Sequence, residues 1–266
     1  MKLINKGKAL SVTIIITVCV TAATLAIAYK VIPRKVQPAK RAVVPVINEP
    51  VQKYDTVLLA KFKKIEAAIN IKDKACTYSG VINIIDKADS INSAKNVSFL
   101  FCKKDSSCYY KMGNTETLNN RGLYLYIDHG NKKVLVGRQK VISVPDFTSS
   151  RNLTNDLASE NYTLSGKTTG PLQTLTLLNE RHISCKQYAI IFDTTTYKVA
   201  RIHARMTNFS DPLNKNKEKI LDVVFSNWQN SADIDSHIAV DKILVEDGKQ
   251  LKLTALYKNY ELIRIQ

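Results

Sequence analysis

The sequence lacks the signatures that would announce a chemistry. No Cys-x-x-Cys, His-Glu-x-x-His or histidine-rich spacing occurs in its 266 residues, so it presents no ready-made zinc set. None of its nine glycines forms a Walker loop or a dinucleotide-binding fingerprint, which removes the common phosphate-cradling turns. A G-x-S-x-G elbow is missing as well. The four histidines stand apart. His129 falls in a turn and His203 on a polar strand face, while His182 and His237 have no acid or cysteine at useful spacing. These absences read as a protein that is not an enzyme, with no catalytic residue, no metal and no cofactor, and with its ligand-binding residues unassigned.

Negative charge is also scarce. Thirty-nine Lys and Arg stand against 23 acids, a formal charge of +16. The excess is uneven, because residues 1–50 hold eight basic side chains and one acid, Glu49. Beyond residue 50 the lysines are scattered singly or in pairs and are not clustered with aromatics on one face, so no nucleic-acid partner is expected.

What the chain does have is an uncharged apolar run from Ala9 to Tyr29, twenty-one residues long. About 20 apolar residues in a helix span the ~30 Å core of a bilayer. Two readings stand. The run is either a retained signal anchor or a secretory signal, with Lys2, Lys6 and Lys8 as its positive start and a cut after Ala28 in Ala26-Ile27-Ala28. The length favours the anchor, since signal cores usually run about 7–15 residues. Lys30, Arg34, Lys35, Lys40 and Arg41 on the far flank nearly balance the lysines of the tail. The body is nonetheless expected outside, in the periplasm or extracellular space, with the N-terminus inside. Residues 1–8 are then a tail, 9–29 the anchor and 51–266 one β-rich envelope domain. Residues 30–50 form a linker that holds four of the seven prolines between basic residues, the composition of an extended spacer.

After the linker, Tyr54, Leu58, Phe62, Ile65 and Ile69 recur at helical spacing, with Lys61, Lys63, Lys64 and Glu66 off the stripe. From Tyr78 the period becomes two, the mark of antiparallel strands. The runs are Val81–Ile85, Val97–Phe101, Tyr109–Met112, Leu123–Ile127, Val134–Val136, Leu172–Leu178, Tyr188–Phe192, Val199–Met206 and Leu221–Phe225. Leu123–Ile127 is apolar or aromatic on both faces, which suits a strand covered on both sides. Residues 138–170 read as a long polar excursion with a short helix between Asn152 and Tyr162. The C-terminus reads as a hairpin, with Ile243–Val245 and Leu251–Tyr257 around a turn at residues 246–249.

Three sets of residues invite a role. Cys102 and Cys108 flank a polar turn, where a disulfide would stabilise the fold by about 2 kcal/mol. The alternative is that these two, with Cys76 and Cys185, are reduced core thiols. Arg201, His203 and Arg205 share a strand face that could dock an acidic partner or simply meet water. Tyr109, Tyr110, Tyr124 and Tyr126 could line an apolar groove or pack between strands.

One helix followed by a run of antiparallel strands resembles the lipoprotein-carrier fold of outer-membrane lipoprotein sorting, a half-open barrel closing over helices around a lipid cavity. The most similar stretch is Thr117–Val136. There Arg121-Gly122 stands in a turn before Leu123-Tyr124-Leu125-Tyr126-Ile127-Asp128, followed by Lys132-Lys133-Val134-Leu135-Val136. The closing Leu253–Leu262 is similar to late strands of such domains. The fold expected is α+β: an N-terminal transmembrane helix from the apolar run, then, as the resemblance implies, one amphipathic helix packed on a curved antiparallel sheet, a half-barrel. The long anchor is a departure from that family, and with the apolar strands and helix stripe it leads to the expectation of a membrane-anchored envelope domain holding a lipid, an acyl chain or another apolar ligand. A structural subunit of an envelope-spanning secretion or conjugation assembly, presenting a protein-docking surface, is the other expectation. The partners expected are therefore the membrane and a lipid or a protein.

Overall fold

A computed structural model describes residues 54–69, 75–141, 153–229, 234–237, 239–247 and 250–265. The tail, the expected anchor and the linker lie outside the described residues, within which no helix is long and apolar enough to cross a membrane.

The expected amphipathic helix is present as α1, Thr56–Ile69. It starts there because Asp55 caps it, its Oδ1 accepting from the amides of Val57 at 2.7 Å and Leu58 at 3.2 Å. Such a cap is worth about 1 kcal/mol. Phe62 and Ile65 of the stripe are buried, each worth about 1.5–3 kcal/mol as area removed from water.

The helix lies on a large curved, unclosed sheet. Its first six strands are β1 (Cys76–Asp86), β2 (Ala94–Lys104), β3 (Ser107–Met112), β4 (Thr115–Asn120), β5 (Leu123–Asp128) and β6 (Lys133–Arg138). Helix α2 (Leu153–Ser159) precedes β7 (Thr163–Thr169), β8 (Leu172–Leu178), β9 (Cys185–Asp193), β10 (Val199–Met206) and β11 (Lys219–Gln229). A short helix α3 (Ile234–His237), a separate hairpin of β12 (Leu244–Asp247) and β13 (Gln250–Leu253), and β14 (Glu261–Arg264) complete the chain. The spatial order is β14-β6-β5-β4-β3-β2-β1-β11-β10-β9-β8-β7. Its two end strands do not pair with each other.

Three features correct the expected pattern. The polar excursion holds, besides the expected short helix α2, a full strand, β7, whose Thr and Lys side chains face solvent along the sheet edge. The sheet is also not wholly antiparallel, because β14 runs parallel to β6, from Glu261 opposite Lys133 to Arg264 opposite Val136. Residues Ala255–Tyr257, expected in a strand, instead make a 3₁₀ turn that redirects the chain to that edge.

Alternation along the strands produces two cores on opposite faces. On the inner face, α1 and α2 cover Ile82, Ile84, Leu175, Leu177, Tyr188, Ile190, Ile202 and Leu221, among others. On the outer face, Leu118, Leu125, Ile127, Val134 and Val136 are covered by Val240, Ile243, Leu244 and the chain running to Leu262. The double covering expected for Leu123–Ile127 thus has a concrete form. Leu125 and Ile127 lie under the C-terminal segment, and Tyr124 and Tyr126 point to the inner face.

Candidate functional site

An aromatic wall occupies the inner face where β11, β1, β2 and β3 adjoin. It is built from period-two positions. Tyr78 faces Trp228 across one strand pair and Phe101 across the next, and Phe101 faces Tyr110. The rings touch. Tyr78 and Trp228 have centroids 4.3 Å apart, Tyr78 and Phe101 are stacked at 5.9 Å, and Phe225 meets Trp228 at 5.3 Å. Phe99 packs edge-on against Phe225 at 5.8 Å. Contacts of this kind add about 0.5–1.5 kcal/mol each beyond area burial.

Gly80 holds the wall together. The register slips between Ser79 and Gly80, so that Phe225 and Phe99 sit on either side of a residue without a side chain. Tyr110 and Phe99 are buried, whereas Tyr78, Phe101, Phe225 and Trp228 remain half-exposed and present ring surface.

Of the four tyrosines read as groove candidates, three lie on this inner face: Tyr110, Tyr124 and Tyr126. Tyr109 does not, because it neighbours Tyr110 in a strand. It is buried on the outer face, in the core beneath the C-terminal segment, and stacks against the His237 ring.

Two polar groups enter this largely apolar region. Tyr188 is buried under the helices, and its hydroxyl has no hydrogen-bond partner among the described residues. Glu66, which the periodicity places off the apolar stripe, is half-buried, and burial pushes its carboxyl up to about 7 against a smaller opposing pull from Lys63. The sign of its effect on stability follows. The fold disfavours the charged form, so this group's contribution is most favourable below about pH 4.3 and is lost as pH rises through 7. Glu66→Gln should therefore flatten stability between about pH 5 and 7 relative to the wild type. It should also stabilise the protein at pH 8 by about 1–2 kcal/mol, discounted for its solvent contact. Urea midpoints of both proteins across this range check the prediction.

The thiols are buried. Burial raises Cys108 and Cys185 to about 12 and raises Cys76 as well. The disulfide expected between Cys102 and Cys108 is not formed, and none of the four described cysteines is in a disulfide. The register gives the reason, since Cys102 lies opposite Tyr109 and Cys108 opposite Lys103, which sends the two side chains to opposite faces of the hairpin.

Each histidine is engaged locally. His182, read as lacking an acid partner, has one: its Nε2 lies 2.7 Å from Oε2 of Glu160, which the sheet brings up from 22 residues away. The Ser184 hydroxyl lies 3.2 Å from Nδ1 of the same ring, but that nitrogen already accepts the amides of Ser184 and Cys185. Such an imidazole clamps a turn. His129 bridges Glu116 at 3.0 Å and the Tyr260 hydroxyl at 2.8 Å, latching the C-terminal segment to β4. No group of three potential metal ligands occurs among the described residues.

Arg201, His203 and Arg205 do share the outer face, but acids of the same sheet meet them. Arg201 is bidentate to Asp222 at 2.6 and 2.8 Å, His203 lies 3.8 Å from the same carboxylate, and Arg205 binds Glu180 at 2.8 and 3.1 Å.

No family model and no curated protein matches this chain. Solved structures do. An uncharacterized conserved protein from Thermus thermophilus is 7% identical over 79% of this chain and 98% of its own, with a TM-score of 0.36. An outer membrane lipoprotein-sorting protein domain from Vibrio parahaemolyticus is 12% identical over 64% of this chain and 91% of its own, with a TM-score of 0.25. A chain of the Pseudomonas aeruginosa MucA/MucB complex is 11% identical, covering 74% of this chain and 62% of its own, with a TM-score of 0.31. A lipoprotein-sorting domain is thus among the solved structures that resemble this chain, as in the sequence pattern. With TM-scores below 0.5, the function is read from the chain's own residues.

Proposed function

We propose that this chain is a membrane-anchored cell-envelope domain, its body outside the cytoplasmic membrane, that binds an acyl chain or another apolar ligand on the inner face of its curved sheet. It acts by binding and not by catalysis. The observation that carries the reading is the wall of Tyr78, Phe99, Phe101, Tyr110, Phe225 and Trp228, four of whose rings stay half-exposed. Ring surface of this kind favours an apolar occupant by about 25 cal/mol for every Å² removed from water. The apolar run at residues 9–29 supports the attachment, and the basic residues around it suit anionic headgroups.

Phe101→Asp places a charge in the wall at a half-exposed position. The substitution is expected to weaken binding of the fluorescent fatty acid cis-parinaric acid to the full chain by about tenfold or more, with the far-UV circular dichroism unchanged. Equal affinity in the two proteins would remove the wall as the binding surface.

A further inference from the structure

One end of the sheet carries large apolar side chains on its loops. Ile91 in the β1–β2 loop is 85% exposed, Ile183 in the β8–β9 loop 71%, and Phe209 and Leu213 in the β10–β11 loop 80% and 77%. Single exposed apolar residues are ordinary on protein surfaces. These four are a group, because their loops are bonded to one another. The amide of Lys87 donates to the Glu218 carbonyl at 3.1 Å, and that of Thr207 to the Ser184 carbonyl at 2.9 Å. Lys87 Nζ reaches the carbonyl of Lys215 at 3.0 Å, and Lys215 lies 3.8 Å from Glu180. Basic side chains rim the tips: Lys87, Arg181, Lys215, Lys217 and Lys219. Four acids among them, Asp86, Glu180, Asp211 and Glu218, are each engaged by a Lys or Arg, and a fifth, the exposed Asp89, accepts the Ile91 amide at 3.0 Å and the Asn92 side-chain amide at 2.8 Å.

The described chain also begins at this end. The Tyr54 hydroxyl donates to the Tyr162 carbonyl at 2.7 Å, and Tyr162 donates to the carbonyl of Cys185, at the start of β9. Helix α1 then runs away from it, bringing Lys64 over the Tyr197 ring in the β9–β10 turn at the far end. Fifty-three residues precede Tyr54, including the uncharged run 9–29. The end with the exposed apolar tips is therefore the one from which the chain leads to its expected membrane segment.

We infer that this end is a second membrane contact: Ile91, Ile183, Phe209 and Leu213 enter the interfacial layer of an anionic bilayer while the surrounding lysines and Arg181 meet its headgroups. Apolar loop tips with a basic rim are what such a surface selects. The contact fixes the orientation of the body on the membrane, which an extended linker alone leaves free. It does not depend on what the aromatic wall binds, since wall and tips are separate surfaces.

The experiment places an indole at the tip. F209W in a W228F background leaves one tryptophan in the full chain, which is mixed with vesicles of phosphatidylcholine and phosphatidylglycerol at about 3:1 carrying brominated acyl chains. Emission is expected to fall at least about twofold relative to unbrominated vesicles. T195W in the same background, at the opposite end of the sheet, should change little, and adding I183K and L213K to F209W should abolish the loss. A chain that binds the vesicles yet shows equal emission at positions 209 and 195 keeps its anchor and overturns the docking end, as does a chain that does not bind at all. Hydrogen exchange of the unsubstituted chain gives a reading independent of these variants. Slower exchange in loops 87–93, 179–184 and 207–218 on vesicle addition, with no change at 194–198, supports the inference, and uniform behaviour contradicts it.

Discussion

Replacing Glu218 with alanine is expected to cost about 3–5 kcal/mol of stability, the largest loss of any single substitution considered for this fold. Glu218 and Lys186 are 2% and 1% exposed, and Lys186 Nζ donates to Oε1 of Glu218 at 3.0 Å. The other carboxylate oxygen lies 3.4 Å from Arg205 Nε and 3.8 Å from Lys87 Nζ. Burial alone would raise this carboxyl, but the bonds from Lys186 and Arg205 outweigh it and hold the group below its ordinary range. The favourable contribution is accordingly present above the ordinary glutamate pKa of about 4.3 and is lost as pH falls below it. Truncating Glu218 leaves an ammonium in the interior with no compensating charge. Substituting both partners, Lys186→Met with Glu218→Leu, removes the desolvation cost along with the attraction and should recover most of the loss. Urea unfolding followed by Trp228 emission measures both. A loss under about 1 kcal/mol for Glu218→Ala would show that the pair is hydrated and not a buried link between β9 and β11.

Gly80→Ala is expected to cost about 3 kcal/mol and to disrupt the aromatic wall with it. A methyl group at this position would stand 2.0 Å from the carbonyl oxygen of Val224 and 2.8 Å from Cε1 of Phe99. The first contact is with backbone, so no rotamer relieves it. The strand must move, and the bulge that seats Phe225 beside Phe99 moves with it. Gly122 is the control. It sits in a two-residue hairpin turn where Arg121 and Gly122 both have positive φ, at 49° and 79°, and nothing lies within 4 Å of a Cβ placed there. Gly122→Ala should therefore cost only about 1 kcal/mol, through conformational strain alone. Urea midpoints separate the two, and the Trp228 emission maximum should shift only in the Gly80 variant.

The fold was legible where burial and periodicity agree. The stripe from Tyr54 to Ile69 gave α1 because its apolar residues do the packing, and the nine apolar runs gave nine strands. Strands β4, β7 and β14 were missed, the first two for a physical reason. β7 is a solvent-facing edge whose Thr, Ser and Lys carry no apolar alternation. β4 contributes only Leu118 to a core in the ordinary way, while its other buried residue is Asn119. That side chain accepts the Lys140 amide at 2.8 Å and donates to the carbonyls of Lys140 and Ser106, bonds that composition does not reveal.

The candidate site was legible only in part. Of the four tyrosines singled out, Tyr110 stands in the wall, Tyr124 and Tyr126 share its face, and the alternation of adjacent residues could already have separated Tyr109 from Tyr110. The rest of the wall depends on which strands become neighbours. Trp228 reaches Tyr78 through the pairing of β11 with β1, which are 150 residues apart in register at that point. Separation in sequence, though shorter, also hid the polar partners. Glu160 meets His182, and Lys186 meets Glu218, only after the sheet has formed. The Cys102–Cys108 bridge was suggested by proximity along the chain, where the deciding quantity was the parity of the register.

The chain has a single tryptophan, and it stands in the wall. Trp228 is thus a built-in reporter for an apolar ligand on the inner face. Titrating the full chain with 9,10-dibromostearic acid, against stearic acid as the unbrominated control, is expected to quench Trp228 emission saturably, and the Phe101→Asp variant should lose that saturable quenching. Emission that declines no more with the brominated acid than with stearic acid would mean that no acyl chain lies against the wall, and the proposed function would be wrong.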